Sequence, residues 1–394
     1  MWNVLYLGLV SFFADISAEM VYPIIPLYLT SVFGATPALV GVIEGIAESL
    51  ASLLKVFSGY ITDKYKKKKP IAFFGYATGL VYKVALIAAS SWIGILGARV
   101  IDRTGKGIRT APRDVMVSES ADSNRMGTAF GIHKALDMAG SAIGILIAYL
   151  ILSSANGAFN YKNLFLISMI PALMSLAIFP LIKEKKKIRT TKEREPFWKN
   201  VKKLDGQLKL YLLVAFLFTL GNSSNAFLLL RAKSVGFNDS TVILLYFIYN
   251  MTASLLAIPL GKRSDQVGRK RILVSGYMIF AIVYMGFAFA YNKTFMIVLF
   301  VLYGVYTAMI AGVERAFIAE ISTQELKGTM LGLHSTIVGI ALFPASTIAG
   351  ALWTSFGAEI PFVFGACLSL AAALVLFILM KDGRHTHCEN NQRI

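Results

Sequence analysis

The sequence predicts an all-α polytopic membrane protein with twelve transmembrane helices, and three observations support this fold class. Hydrophobic residues make up 56% of the 394 positions, charged residues make up only 15%, and the mean hydropathy is +0.64. Soluble domains average about 45 to 50% apolar and about 25% charged residues, so the chain is not a soluble globular protein. Apolar runs of about 18 or more residues recur along nearly the whole chain, and each has the length of a membrane-spanning helix.

Two further protein classes are excluded by the same runs. Segments such as LYLLVAFLFTL (210–220) are apolar on every side, whereas the strands of a membrane β-barrel alternate apolar and polar residues. The net charge of +17 and the isoelectric point near 9.7 would suit a nucleic-acid binder, but the basic residues concentrate in loops between the apolar runs. We therefore interpret the charge as a topology signal and predict no nucleic-acid partner.

Glycine, proline and charged residues divide the chain into twelve predicted spans. They cover residues 4–33, 38–62, 71–90, 92–119, 127–154, 162–182, 209–233, 240–261, 272–291, 294–320, 328–354 and 360–380. The span at 92–119 is assigned despite its many charges, because only a helix there gives a consistent alternation of the flanking loops. The first span carries Asp15 and Glu19, which a cleavable signal peptide would not, so we expect it to stay in the membrane.

Lysine and arginine residues are concentrated in one set of loops. The segments 64–69, 183–209 and 261–271 are strongly basic, whereas the opposite set of loops holds almost only Lys293. Short cytoplasmic loops carry an excess of Lys and Arg, so the sequence predicts a multi-pass protein of the cytoplasmic (inner) membrane with both termini in the cytoplasm. Basic loops also favour the anionic headgroups of the lipid bilayer.

An internal repeat divides the predicted spans into two sets of six. GYITDKYKKKK from Gly59 resembles GKRSDQVGRKR from Gly261, and GTAFGIH from Gly127 resembles GTMLGLH from Gly328, at offsets of 202 and 201 residues. The longest polar stretch lies between the two sets. The sequence therefore predicts an N-terminal six-helix bundle (1–182), a cytoplasmic linker loop (183–208), a C-terminal six-helix bundle (209–380) and a cytoplasmic tail (381–394).

The repeated basic loop resembles the signature loop of the major facilitator superfamily (MFS), Gly-x-x-x-Asp-Arg/Lys-x-Gly-Arg-Arg/Lys. The first copy matches at Gly59, Asp63 and Lys64, with Lys66 in place of the second glycine. The second copy matches at Gly261, Asp265, Gly268, Arg269 and Lys270, with Gln266 in place of the first basic residue. The fourth span loosely resembles the Arg-x-x-x-Gly-x-Gly pattern of the same family at Arg99, Gly105 and Gly107. With twelve spans and a central basic loop, the whole chain resembles a bacterial or archaeal MFS secondary transporter.

This resemblance implies the MFS fold, in which two six-helix bundles are related by a pseudo-twofold axis and enclose a central cavity. It also implies a gating role for the signature loops, which hold the bundles together on the cytoplasmic side in one state. Asp63 and Asp265 are expected to accept hydrogen bonds from helix N-termini there, where the helix dipole favours an anion. The alternative is that these loops are solvated and set only the topology.

Charged residues inside the spans are expected to be functional, because each costs about 2.5 to 3.5 kcal/mol on insertion scales. They fall mainly in spans 1, 2, 4, 5, 7 and 10, which the resemblance places around the cavity: Asp15, Glu19, Glu44, Glu48, Lys55, Arg99, Asp102, Arg103, Lys106, Arg109, Arg113, Asp114, Lys134, Asp137, Arg231, Glu314, Arg315 and Glu320. The cations and anions of these spans nearly balance in the N-terminal half.

Two pairs of carboxylates are spaced for proton binding. Asp15 with Glu19, and Glu44 with Glu48, are i,i+4 pairs that share a helix face, and neighbouring carboxylates in a low-dielectric cavity disfavour double ionisation. We therefore predict a proton-coupling set formed by Asp15, Glu19, Glu44, Glu48 and Asp137. The alternative is that the carboxylates form buried salt bridges with the cations of span 4.

The predicted substrate site combines cations, polar groups and aromatic rings. Arg99, Arg103, Lys106 and Arg113 form a stripe along span 4 that suits an anion path, and the deeper three are expected in the cavity wall while about half of the stripe pairs internally. The substrate set also contains Tyr22, Asn222, Asn225, Glu314 and Arg315, and an aromatic wall is expected from Phe12, Phe13, Tyr22, Tyr246 and Tyr249. For the polar break at 222–225, interhelical hydrogen bonding is an equal alternative.

No catalytic motif, cofactor site or metal cluster is recognisable in the spans, so the sequence predicts a transporter and not an enzyme. His133 and His334 occupy equivalent repeat positions, which favours helix-end packing over metal binding, and the tail HTHC (385–388) is interpreted as incidental. The leading hypothesis is a monomeric secondary active transporter that exports a small amphiphilic or anionic organic solute by alternating access with proton coupling. Alternatives are proton-coupled uptake of an anionic solute such as a carboxylate-rich metal chelate, export of a divalent metal ion bound by the paired carboxylates, or a channel.

Overall fold

The computed structural model describes residues 2–65, 68–120, 126–154, 161–184, 204–310, 312–322 and 326–380, and these residues are helical almost throughout, with no strand among them. Fifteen α-helices occur in the described chain: α1 (Trp2–Val21), α2 (Ile25–Phe33), α3 (Pro37–Tyr65), α4 (Lys68–Ala88), α5 (Trp92–Ser120), α6 (Met126–Ser154), α7 (Tyr161–Ile178), α8 (Gly206–Gly221), α9 (Ala226–Ser234), α10 (Asp239–Val267), α11 (Arg269–Ala288), α12 (Lys293–Ile310), α13 (Val313–Ile321), α14 (Lys327–Phe356) and α15 (Ile360–Leu379).

These helices form the twelve predicted spans. Span 1 consists of α1 and α2, span 7 of α8 and α9, span 10 of α12 and α13, and every other span is a single helix whose ends lie within a few residues of the prediction. Ten of the twelve are long and apolar enough to cross a membrane by composition alone. The other two are α3 and α5; in α5 the many charged residues lower the hydropathy of the whole helix.

The three divided spans break for local reasons. A 3₁₀ turn at Tyr22–Ile24 separates α1 from α2, and Pro23 lacks the amide hydrogen that a continuous α-helix would use. The polar residues Asn222 to Asn225 separate α8 from α9, and the segment containing Gly312 separates α12 from α13. Such discontinuous helices leave backbone and side-chain polar groups available near the middle of the bundle.

Each half of the chain packs as its own set of helices. In the first half α1 packs against α6 and α7, and α5 packs against α3 and α4; in the second half α11 packs against α12 and α15, and α10 against α12. The halves meet where α3 lies along α14 and where α6 contacts α10. On α3, Gly41 and Gly45 face the backbone of Ser346 and Phe343 so closely that a Cβ atom at Gly41 would collide with the Ser346 carbonyl oxygen.

Because the number of spans is even, the start of the first helix and the end of the last helix lie on the same side of the bundle. We call this side the terminal side and the opposite side the far side. Between described residues, hydrogen bonds near the far side join the halves from the backbone N–H of Ala38 to Thr354, from Tyr161 to Asp239, and from Lys233 to Ser31. Another, from Tyr246 to Glu19, lies nearer the middle. The halves are thus held together from the far side to the centre.

Candidate functional site

The polar break in span 7 is tied to a group of tyrosines. The Asn222 side-chain amide donates to the Tyr306 hydroxyl at 3.0 Å, and that of Asn225 donates to the Tyr249 hydroxyl at 3.1 Å. The Tyr303 hydroxyl donates to the Asn225 side-chain carbonyl at 2.9 Å. The interhelical hydrogen bonds weighed in the sequence are therefore present, and Asn222 and Asn225 join α10 and α12 to the break.

These tyrosines continue into an aromatic wall that spans both halves of the molecule. Tyr22, in the break of span 1, approaches Tyr246 with ring centroids 5.9 Å apart, and Tyr246 lies 5.3 Å from Tyr249. From Tyr249 the wall extends to Tyr303 at 5.2 Å and on to Tyr306 at 5.3 Å. Phe12 and Phe13, which the sequence assigned to this wall, contact each other instead, at 5.1 Å.

Arg99 is not exposed in the cavity wall where the sequence analysis expected it. Its guanidinium lies 2.5 Å from the Glu44 carboxylate, and both side chains are only 1% exposed. Asp102 is 3.7 Å away on the same helix turn. A buried charge of this kind requires a paired partner, so Arg99 and Glu44 together form an internal ion pair between α3 and α5.

Arg103 and Glu48 form a second ion pair, one helical turn nearer the terminal side. Their closest atoms are 2.7 Å apart, Arg103 is buried, and Glu48 is 27% exposed. Tyr22 lies against both arginines, with its ring centre 5.2 Å from the Arg99 guanidinium and 5.1 Å from that of Arg103. The aromatic wall of the second half therefore connects through Tyr22 to the ion pairs of the first half.

Lys106 is the member of the predicted stripe that is exposed. Although it lies within a span, it makes no ion pair with any described residue, and it acts electrostatically on the carboxylates of Asp15, Glu19, Glu48 and Asp102. Asp15 lies 3.8 Å from Arg109. Lys106 therefore has no ion-pair partner of its own among the described residues, and several carboxylates share its charge.

Asp137, which the sequence analysis placed in the proton-coupling set, is held among other polar groups of the first half. Its carboxylate lies 3.9 Å from Arg113 and 3.8 Å from His133. His133 in turn hydrogen bonds to the Ser11 hydroxyl at 3.0 Å, and Arg113 pairs with Asp114 at 2.9 Å. The charge of Asp137 is therefore compensated by Arg113, and the His133 ring has a hydrogen-bond partner in Ser11.

Glu19 differs from the other carboxylates of the first half. It is half-buried and makes no ion pair with the described residues, and its hydrogen-bond partner is the Tyr246 hydroxyl of the opposite half at 3.4 Å. Lys106 and Asp15 are the charged groups that act on it most strongly. Glu19 is thus a carboxylate that forms no ion pair with the described residues and lies where the two halves meet the aromatic wall.

In the second half, Glu314 and Arg315 lie at the start of α13 but face different surroundings. Glu314 accepts a hydrogen bond from the Tyr277 hydroxyl at 3.2 Å and lies 3.9 Å from His334. Arg315 is exposed and acts electrostatically on Lys55 of the first half. Two exposed cations, Lys106 and Arg315, therefore face the space between the halves.

The signature-loop residues make contacts within one half where their side chains are described. Asp265 pairs with Arg269 at 3.0 Å, and Arg269 also contacts Glu320 at 3.1 Å and the Ala316 carbonyl oxygen at 3.3 Å. This network joins α10, α11 and α13, with Gly268 in a positive-φ conformation (108°) between the first two helices. The side chains of Gly59, Asp63 and Lys64, with Lys66, lie outside the described residues, and Gly261 only continues α10. The gating role stays a prediction.

A set of residues that the sequence analysis did not single out joins the halves at the far side. We call Ser31, Tyr161, Lys233 and Asp239 the far-side latch: Lys233 donates to Asp239 at 2.6 Å and to Ser31 at 2.9 Å, and the Tyr161 hydroxyl donates to Asp239 at 2.9 Å. In the sequence, Asp239 follows the N-cap residue Asn238 and occupies the first turn of a helix, where an acidic residue is ordinary because it favours the helix dipole. Its role depends on a partner in the other half.

Replacing Asp239 by asparagine is expected to loosen the far side, because the charge-assisted bonds of the latch lose their anion. Allowing for partial exposure, we expect a loss of about 1 kcal/mol, or an about fivefold shift from closed to open. Nitroxide labels at Lys162 and Asn292, in a chain without native cysteines, report the far-side distance by electron–electron resonance. A distance distribution identical to that of the parent would contradict the prediction.

Among the described residues, no group of three or more His, Cys, Asp or Glu side chains is arranged to hold a metal ion. Glu44 and Glu48, two of the four carboxylates considered for a divalent metal, are occupied by Arg99 and Arg103. The HTHC tail at 385–388 and most of the 183–208 linker lie outside the described residues.

Comparison with known proteins identifies the family. The profile of the Major Facilitator Superfamily matches residues 7–231 and 211–393. An uncharacterised MFS-type transporter of Methanocaldococcus jannaschii is 36% identical over 384 residues, covering 96% of this chain and 94% of the relative. Multidrug resistance protein 2 of Bacillus subtilis is similar over a shorter stretch, with 27% identity over 124 residues, 31% of this chain and 30% of that protein.

A solved structure shows the same fold. A variant of the nucleoside transporter NupG superposes with a TM-score of 0.82 at 11% identity, over 96% of this chain and 100% of that chain. The twelve spans, the profile match in both halves and the full-length relative lead to one conclusion: this chain belongs to the major facilitator superfamily and is a transporter, not an enzyme.

Proposed function

We propose that the protein is a secondary active transporter that exports a small amphiphilic organic solute from the cytoplasm in exchange for protons, working as a monomer. The terminal side is then the cytoplasmic side of the inner membrane, since the basic segments 64–69, 183–209 and 261–271 lie there. Held together at the far side, the structure corresponds to a state in which the solute enters from the cytoplasm.

The observation that carries this proposal is the position of Glu19. It is a lone carboxylate within a span, it touches the aromatic wall through Tyr246, and it lies at the junction of the two halves. A lone carboxylate in such surroundings is stabilised by a proton or by the polar end of a bound solute. Because the Glu19 carboxylate binds either the proton or the solute, the two bind one after the other, as exchange across the membrane requires.

The aromatic wall supports the amphiphilic character of the solute. Tyr22, Tyr246, Tyr249 and Tyr303 offer ring faces for an apolar or cationic group together with hydroxyls for a polar one. Asn222 and Asn225 sit behind these rings and are proposed to orient the hydroxyls rather than to bind the solute alone. Similarity to a multidrug resistance protein over part of the chain favours export of this solute class.

The structure changes which residues of the predicted proton-coupling set we propose as carriers. Glu44 and Glu48 are engaged by arginines, and Asp137 lies beside Arg113. Glu19 therefore becomes the main proton carrier, with Asp15 as its neighbour. The paired carboxylates are proposed to hold α3 and α5 together.

Replacing Glu19 by glutamine tests the proposal. In proteoliposomes with an imposed pH gradient, we expect the variant to lose gradient-driven transport of a cationic amphiphile such as ethidium at least tenfold, while exchange at equal pH persists. Glutamine keeps the size and the hydrogen bond to Tyr246 but binds no proton. The matched control is Glu184→Gln, because Glu184 is exposed on the terminal side, outside the spans.

Gradient-driven flux at the parent rate in Glu19→Gln, with the control also unchanged, would exclude Glu19 as the carrier. Flux that follows a gradient of divalent cations and ignores pH would exclude proton coupling altogether.

A second candidate function is proton-coupled uptake of an organic anion, and the unpaired cations favour it. Lys106 and Arg315 are exposed between the halves, and Lys106 acts on Glu19. A proton on Glu19 would free Lys106 to bind an anion, so that both move in the same direction. The same vesicles distinguish the two functions: accumulation of an anion such as fluorescein together with protons, without transport of ethidium, supports uptake and contradicts the export proposal.

A further inference from the structure

A second group of ionisable side chains lies in the C-terminal half, away from Glu19. We call Tyr211, Tyr277, Glu314 and His334 the Glu314 cluster. The Tyr277 hydroxyl donates to Glu314 Oε1 at 3.2 Å, and His334 Nε2 lies 3.9 Å from Glu314 Oε2. Tyr211 stacks on the His334 ring with centroids 6.0 Å apart. Four helices, α8, α11, α13 and α14, contribute one member each.

Two polar atoms of the cluster are buried without a partner. His334 Nε2 and the Tyr211 hydroxyl make no hydrogen bond to the described residues, although His334 is 8% exposed and Tyr211 is fully buried. Buried polar atoms are normally paired, because leaving one unsatisfied is costly. His334 Nε2 is directed at the Glu314 carboxylate and stops short of hydrogen-bond distance. A proton added between these two atoms would therefore allow His334 and Glu314 to form a hydrogen bond.

The equivalent histidine of the N-terminal half makes the hydrogen bond that His334 Nε2 lacks, although Asp137 Oδ1 beside it is also buried without a hydrogen-bond partner among the described residues. His133 and Tyr76 correspond to His334 and Tyr277 at the repeat offset of 201 residues. There, Ser11 bonds both the His133 ring at 3.0 Å and the Tyr76 hydroxyl at 2.8 Å. At the same offset, the second half has Leu212 in place of Ser11. The C-terminal histidine therefore lacks the hydroxyl that satisfies its N-terminal counterpart.

The charge balance differs between the two positions as well. In the N-terminal half Arg113 lies 3.9 Å from Asp137 and compensates it. In the C-terminal half Arg315 is exposed and forms no ion pair with Glu314 among the described residues. The groups that face the Glu314–His334 pair are Tyr211 of α8, Tyr277 of α11, Tyr306 of α12 and Arg315 of α13, with Lys55 of α3 beyond Arg315. Among the described residues, no other carboxylate acts electrostatically on this pair.

We propose that Glu314 and His334 form a second proton-binding site, in which one proton is held between the Glu314 carboxylate and the His334 imidazole. Binding adds a proton to Glu314 Oε2, which then donates to His334 Nε2 as the 3.9 Å gap closes to hydrogen-bond distance; release restores the open pair. No other atom is transferred. The site extends the proposed proton-coupled function, on which its transport role rests, from one carried proton to two.

The binding step is tested without transport, by infrared difference spectroscopy of the purified full-length protein in detergent across a pH titration. A protonatable carboxyl at Glu314 gives a carbonyl band that appears on acidification. We expect this band to vanish in Glu314→Gln, to shift its midpoint in His334→Gln and to persist, displaced in frequency, in Glu314→Asp. The matched control Asp137→Asn removes the carboxylate that lies 3.8 Å from His133, the counterpart of His334, and should leave the Glu314 band in place.

A parent spectrum that is unchanged in Glu314→Gln would overturn the proposal, as would a midpoint that does not move in His334→Gln. Retained elution volume and melting temperature show that each variant is folded, and Glu314→Asp keeps the test valid if the glutamine variant is not. Failure of this proposal can be distinguished from failure of the proposed function. If Glu19→Gln leaves transport unchanged while the Glu314 band titrates normally, proton binding by Glu314 and His334 is supported and proton coupling by Glu19 is excluded.

Discussion

Replacing Arg99 by methionine is expected to destabilise the protein by about 3 to 5 kcal/mol, the largest loss we predict for a single side chain. Arg99 and Glu44 are each 1% exposed and lie 2.5 Å apart. Methionine fills much of the arginine volume but leaves the Glu44 carboxylate buried without its cation. The second carboxylate oxygen of Glu44 already lacks a hydrogen-bond partner among the described residues, so no other contact takes over.

The unfolding of the detergent-solubilised protein, followed by the fluorescence of its four tryptophans, measures this loss. Arg263→Met is the matched control, because Arg263 is exposed at the terminal end of α10. The double variant Arg99→Met/Glu44→Gln should recover most of the stability, since the uncompensated charge is gone. If Arg99→Met melts like Arg263→Met, the ion pair is not a determinant of stability.

Replacing Gly41 by leucine is expected to trap the protein open at the far side. Gly41 on α3 faces the Ser346 carbonyl oxygen of α14, and a side chain there would collide with backbone that cannot rotate away. Overpacking of this kind costs about 1 to 3 kcal/mol in the state that contains the contact, which corresponds to an about 5- to 150-fold shift away from the closed state. Alternating access requires that state, so transport should fall by a similar factor.

Two measurements on the same variant separate trapping from misfolding. Labels at Lys162 and Asn292 should report a longer far-side distance, while the elution volume and melting temperature stay near those of the parent. Gly97→Leu is the matched control, because the space around Gly97 is open within 4 Å. Parent-like distances and transport in Gly41→Leu would show that the α3–α14 contact opens by another route.

The spans were predictable because the bilayer constrains length and polarity locally. Even α5, with five cations, was assigned from the alternation of its flanking loops, and the structure confirms it as a helix from Trp92 to Ser120. The divided spans 1, 7 and 10 were predicted as continuous, although their interruptions coincide with visible signals at Pro23, at Asn222 to Asn225 and at Gly312. Each signal is short compared with the hydrophobic run around it.

The sequence by itself determined the membrane environment, the twelve helices, the repeat and the set of intramembrane charges, because hydropathy and periodicity are properties of neighbouring residues. Only the tertiary structure decided which charges are compensated. Arg99 pairs with Glu44, which is 55 residues away in the sequence, and Asp239 accepts a hydrogen bond from Tyr161, which is 78 residues away. Lys106, one turn from Arg103 on the same helix, forms no ion pair with any described residue and acts on carboxylates only at longer range. The reason is physical: compensation depends on the distance between atoms brought together by helix packing, and residue spacing along the chain does not contain that distance.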